Sequence, residues 1–170
     1  MKLESILALA VVLLVAGQTS VFGQAKAVGE NASIELPAGW VTAEHEVMAL
    51  IASNAQDTMS IVILQESGEV IEVANLSEFY DAKLTNMSTS LTDVKAAEKK
   101  EGEINGLKAA FTTVTAKIKK GDKLIDSKMY LMMYDGGKGD YYMAMIAASP
   151  RQFDANAADF MKVLRSFKMK

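Results

Sequence analysis

The chain has 170 residues, no cysteine, a single histidine and a formal net charge of −3. That inventory removes thiol nucleophiles, CxxC redox chemistry, thiolate metal sites and His-clustered zinc catalysis. An acidic chain is also a poor match for nucleic acid, and none is expected as a partner.

Ile6 to Ala16, ILALAVVLLVA, is an uninterrupted apolar run of 11, followed by the polar stretch Gly17–Ser20. A membrane span needs roughly 20 apolar residues, so the run suits the apolar core of a secretory signal peptide instead. Small residues before either cut, Val21 and Gly23 or Gly23 and Ala25, place cleavage near residue 23 or 25. Glu4 offsets Lys2 ahead of the run, which keeps an uncleaved anchor open as the other reading. A lipoprotein is excluded, because there is no cysteine to acylate. The expected organisation is a signal peptide over 1–25 and a single domain over 26–170, secreted or periplasmic. Roughly 145 residues can bury about two thirds of their surface without a disulfide staple.

Charge is uneven along the chain. Lys26 to Val94 holds two lysines against eleven acids, a balance of −9, whereas Lys95 to Lys170 holds fifteen Lys and Arg against nine acids, +6. Two solvated faces or an oriented docking surface would each account for this.

In chain order, Ile34 and Leu36 alternate into Pro37-Ala38-Gly39, a predicted turn ahead of Trp40. Two β runs follow, Val47–Ser53 and Met59–Gln65, joined by the turn-rich NAQD. Leu76 to Thr92 changes to helical period, with Leu76, Phe79, Tyr80, Leu84, Met87 and Leu91 on one stripe. Asn75 is the predicted N-cap, with Glu78 placed to bond back. Three linked β runs come next, Leu107–Lys119, Lys123–Tyr134 and Tyr141–Ala148, joined by KGDK and DGGKGD as antiparallel hairpins. Pairing residue 118 with 125 puts Val114, Ala116, Met129 and Leu131 on one face, while Lys117 meets Asp126 and Phe111 meets Met132 on the other. A second helix opens at Ser149, with Pro150 in its first turn and Gln152 completing a capping box. Its stripe is Phe153, Ala157, Phe160, Met161, Leu164 and Phe167.

Residues 129–149 hold five of the 11 methionines and four of the five tyrosines. MYLMMY does not alternate apolar with polar, so both faces of that strand are expected to be covered. The fold class read from these patterns is α+β, an antiparallel meander with helices on both faces. Thioethers then fill irregular core gaps. A copper(I) site built from Met129, Met132, Met133, Met143 and Met145 is the competing reading, since soft sulfur favours that ion.

The LPAGW element, the INGLKAAF segment and the closing helix resemble the PsbP-like superfamily. The matching residues are Leu36, Pro37, Gly39 and Trp40, then Ile104, Asn105, Gly106, Leu107, Ala109 and Phe111, then Phe153, Phe160, Leu164, Ser166 and Phe167. The resemblance spans nearly all of the segment after residue 25. It implies an antiparallel sheet between helical layers, an α/β/α sandwich, and a role in binding or assembling other proteins. None of its elements is a catalytic motif.

Remaining chemistry is thin. His45 lies between Glu44 and Glu46, but an extended strand would aim the carboxylates away from the imidazole. A Ser-His-Asp triad would need His45, and no G-x-S-x-G elbow is present. DGGKGD lacks the spacing and following helix of a phosphate loop. Nine lysines against five acids between Lys95 and Lys128 leave anionic lipid or an acidic protein open as a contact.

The expected function is therefore a non-catalytic protein-binding or assembly domain of the envelope or extracellular space, with no cofactor and with peripheral membrane contact open. The alternative is a small-molecule or lipid binder using a pocket between sheet and helix. Trp40, Tyr130, Met132, Met143 and Met145 are the candidate contact residues for ligand or partner.

Overall fold

Apolar runs that do not alternate need cover on both sides, and here one antiparallel sheet is enclosed between two layers. The structure is a computed structural model describing residues 23–170. The run Ile6–Ala16, with the leader expected there, lies outside the described residues. In chain order the elements are β1 (Gln24–Val28), β2 (Ala32–Leu36), β3 (Trp40–Ala43), β4 (Leu50–Asn54), β5 (Met59–Ser67), α1 (Gly68–Ile71), α2 (Leu76–Ser90), β6 (Thr92–Ala96), β7 (Lys100–Ile104), β8 (Leu107–Lys120), β9 (Lys123–Gly137), β10 (Asp140–Ala148), α3 (Pro150–Arg165) and β11 (Lys168–Met169). The main sheet runs β3-β4-β5-β10-β9-β8-β6, with β7 also paired to β8, and β1-β2-β11 form a small second sheet.

The expected register holds: Ile118 pairs with Ile125, Lys117 with Asp126 and Phe111 with Met132. Each face of the sheet closes its own core. On one, Ile34 and Leu36 of the small sheet and Phe153, Phe160, Leu164 and Phe167 from α3 and its C-terminal exit pack over Ile61, Met132, Tyr134, Tyr142 and Ile146. On the other, Phe79, Tyr80 and Met87 of α2 pack over Val62, Val114, Met129, Leu131, Met133, Met143 and Met145. The antiparallel sheet flanked by helices on both faces is thus the observed architecture.

Local chemistry explains most boundaries. Asn54 accepts from the Thr58 and Met59 amides at 2.8 and 3.0 Å, closing the NAQD turn around Asp57, which sits at φ 51°. Asn75 accepts from the Glu78 amide at 3.0 Å, and Glu78 returns by accepting from the Asn75 side chain and the Ala74 amide. At α3, Ser149 Oγ donates to Gln152 Oε1 at 2.9 Å and makes no bond to a helix amide, so the pair is a side-chain clasp in place of the expected capping box.

Two expectations shift. The strand expected from Val47 begins at Leu50, because the Val47 amide donates to His45 Nδ1 at 3.1 Å and the chain turns there. The helix expected to reach Thr92 ends at Ser90, since Leu91 is already extended and leads into β6. β6 and β7 went unread because Thr92–Ile104 is polar and charged, as a sheet border tolerates.

The main sheet also groups its strands largely by their place in the sequence. β3, β4 and β5 come from the acidic half of the sequence and stand together, β7 to β10 come from the basic half, and β6 straddles the boundary between them.

Candidate interaction surfaces

β3 is the end strand of the main sheet and pairs only with β4, so its outer donors and acceptors face away from the ladder. The Pro37–Gly39 turn delivers it: the Trp40 amide donates to the Pro37 carbonyl, and Gly39 takes φ 78°, which glycine adopts without strain. Trp40 packs against the α3-side core, while Val41 and Val47 remain 46% and 51% exposed. Beside them opens a cleft of about 650 Å³, lined by Lys26, Thr42, Ala43, Glu44, His45, Glu46 and Met48–Leu50. His45 is committed to its local turn through Nδ1, and Glu44 and Glu46 are exposed. Among the described residues, no three His, Cys, Asp or Glu side chains gather as a metal-holding group.

A second recess of about 410 Å³ lies between the sheet and α3. Ile104, Ala109, Phe111, Met132 and Met161 supply apolar lining, and the exposed Glu103 and Arg165 add charge. Its end is secured by Asn105, whose Nδ2 donates to the Arg165 and Phe167 carbonyls at 2.9 and 2.8 Å. Asn105 reaches them because the Asn105-Gly106 turn, φ 51° and 81°, joins β7 to β8 in the two-residue form that Asn-Gly favours.

The five candidate contacts do not converge. Trp40 is on β3, separated from β9 by β4, β5 and β10. Tyr130 is half-buried with its ring 4.7 Å from Phe153. Met132 belongs to the α3-side core, whereas Met143 and Met145 belong to the α2-side core. The sheet therefore stands between Met132 and the other four thioethers considered for copper. Met133 and Met143 are direct cross-strand partners, and all five are buried.

Sequence reading passed over one buried ionic feature. Lys83 of α2 is only 8% exposed; it pairs with Glu66 at the end of β5, and its ammonium lies 5.3 Å from the Phe79 ring centre. Its spacing from Phe79 and Met87, four residues to each side, was the available signal, since that places it on the buried stripe. The recess lining was invisible for a different reason, because it joins three strands and a helix that are distant in sequence.

Burial governs the tyrosines. Tyr134 donates to the Leu164 carbonyl at 2.7 Å, and desolvation raises its pKa well above the ordinary 10.0. Tyr142 is raised by burial and by the Asp140 charge, and Tyr141 by burial with Asp135 and Glu78.

No family model matches the chain, and no curated protein is similar to it in sequence. Solved structures do match. Cyanobacterial PsbP (CyanoP) from Synechocystis sp. PCC 6803 superposes with a TM-score of 0.61 at 10% identity, covering 93% of this chain and 99% of that one. The fold is PsbP-like. The Saccharomyces cerevisiae Ran-binding protein Mog1p follows at 0.56 and 11% identity, over 86% of this chain and 95% of its own. LpqN, involved in cell envelope biogenesis of Mycobacterium tuberculosis, superposes at 0.50 and 14%, over 86% and 91%. The PsbP-like resemblance read in the sequence has a physical basis on one face. Leu36, Trp40, Ile104, Leu107, Ala109, Phe111, Phe153, Phe160, Leu164 and Phe167 all pack in the α3-side core. Asn105 and Ser166 tie that layer down, Ser166 Oγ by accepting from the Glu35 amide at 2.8 Å. Those residues maintain a PsbP-like fold and leave function to the surface.

Proposed function

We propose that this chain is an exported, non-catalytic domain from residue 26 onward that binds or helps assemble a protein of the envelope or extracellular space. The observation that carries the proposal is the free β3 border. It presents a strand edge with no partner among the described residues, with exposed Val41 on it and exposed Val47 nearby, beside a cleft of about 650 Å³, the form used when a partner adds a strand to a sheet. The apolar run Ile6–Ala16 supports export, and the fold shared with a Ran-binding protein and an envelope-biogenesis protein supports protein contact.

The test is a photo-crosslinking residue placed at Val41 or, as a control, at the exposed Asp159 of α3, in cells of the native host. Affinity purification of the processed form should recover one crosslinked protein from position 41 and none from 159. Equal yields from both positions, or no protein above background, would overturn the assignment.

The recess under α3 favours a second reading, a small apolar ligand held against Phe111, Met132 and Met161. Trp40 is too far along the sheet to report on that site. Native mass spectrometry is the direct measurement: a defined small molecule that co-purifies and is lost on Met161→Trp, which fills the recess, would replace the first reading.

A further inference from the structure

β8 and β9 outrun their neighbours. On β9 the last residue paired to β10 is Lys128, opposite Ala148, and on β8 the last paired to β6 is Lys117, opposite Thr92. Beyond them the two strands continue alone through Ile118–Ile125, Lys119–Leu124 and Lys120–Lys123. At about 3.4 Å per residue the ribbon stands roughly 10 Å past β6 and roughly 17 Å past β10.

Its end is dressed in an unusual way. Leu124 and Ile125 are 54% and 41% exposed, although each is a large apolar side chain. Being consecutive, they point to opposite faces of the ribbon. Lys119 and Lys123 flank them, are exposed, and have no ion-pair partner among the described residues, whereas Lys117 and Lys128 are engaged by Asp93 and Asp154. The turn from Lys119 to Lys123 holds three lysines against Asp122 alone. An isolated two-stranded ribbon is marginal in water, and here it leaves about half of each of two large apolar side chains, one on either side, in solvent.

We propose that the β8–β9 tip seats in the headgroup layer of an anionic lipid bilayer, with Leu124 and Ile125 entering the acyl boundary and the lysines meeting lipid phosphates. The lysines alone would suit an acidic protein equally well. The two opposed apolar side chains decide between them, because a protein surface covers one face of a ribbon, while a bilayer surrounds both. Long lysine side chains can keep their ammonium groups at the phosphates as the tip sinks. The inference does not rest on the protein-binding reading, whose β3 border lies at the far end of the sheet.

The test uses the chain from Gly23 to Lys170, which contains every element and both cores described above. Vesicles of phosphatidylcholine with about one third phosphatidylglycerol should bind it at least about tenfold more tightly than pure phosphatidylcholine. Leu124→Ser with Ile125→Ser, and separately Lys119→Gln with Lys123→Gln, should each weaken binding about tenfold without changing the circular dichroism spectrum. In a Trp40→Phe background, Leu124→Trp should emit further to the blue on binding and be quenched by brominated acyl chains. No binding by the parent chain, undiminished binding by the Ser pair, or an unquenched indole would each overturn the proposal. Equally strong binding to polyglutamate without lipid would overturn it in favour of an acidic protein.

Discussion

Tyr134 and Tyr142 face each other across the β9–β10 ladder, and both rings lie against Phe167, with centroids 4.2 and 5.1 Å away. Their hydroxyls differ. Tyr134 donates to Leu164, whereas the buried Tyr142 hydroxyl has no hydrogen-bond partner among the described residues. Tyr134→Phe should therefore remove one bond to the Leu164 carbonyl, which still accepts from the Phe167 amide at 3.2 Å, and cost about 1 kcal/mol, measured by urea denaturation. Tyr142→Phe removes an unsatisfied group and should be neutral or stabilising by up to about 1 kcal/mol. Burial raises the pKa of both phenols, so the folded state holds the neutral form after the unfolded chain has begun to ionise near 10. Their contribution is complete below pH 10 and is lost as pH rises toward the folded-state values. Melting temperature should fall steeply above pH 10 while tyrosinate absorbance rises with unfolding, and the double Phe variant should show a shallower fall. The sequence marked both tyrosines as core. It could not tell them apart, because their difference depends on where the end of α3 comes to rest.

Among the elements, those with strong period and local caps were legible in the sequence. α2 is an example: its stripe and its Asn75–Glu78 exchange lie within a few residues of one another. Asn75→Ala should cost about 1 kcal/mol, read from the denaturation midpoint, with α2 fraying first in hydrogen exchange. Elements that borrow stability from distant partners were not legible. α1 is one turn long, closed by the Val73 amide on the Gly68 carbonyl at 3.0 Å and anchored where the Gly68 amide donates to the distant Gly139 carbonyl at 2.7 Å. A Cβ at Gly68 would come within 2.8 Å of the Val73 carbonyl and 2.9 Å of the Tyr141 ring. Gly68→Ala should thus cost about 1–3 kcal/mol by displacing α1 or the Phe79–Tyr141 stack, with near-ultraviolet circular dichroism as the readout. β6 and β7 were missed for the same reason as α1, since border strands may be polar and their pairing to β8 fixes them. The Asn105-Gly106 turn was the one local signal for β7.

At the scale of the whole molecule, one sheet separates two cores, and the outer layers should therefore contribute to stability independently. Ile34→Val in the small sheet should cost about 0.5–1.5 kcal/mol and Met87→Ala in α2 about 2–5 kcal/mol, each removing contacts on one face only. Their sites share no partners, so the double variant should show the sum to within about 0.5 kcal/mol by chemical denaturation. A large coupling would mean that the sheet shifts as a body. The sequence by itself determined the fold class, both long helices, the hairpin register and the dryness of the methionine-rich strand, because period and turn chemistry are local and each apolar run had one way to be covered. Only the tertiary structure decided that Lys83 is buried, that Trp40 lies far from the recess under α3, and that the β8–β9 ribbon projects beyond its neighbours. Each of those depends on which distant strand or helix stands alongside, and periodicity carries no record of the neighbour.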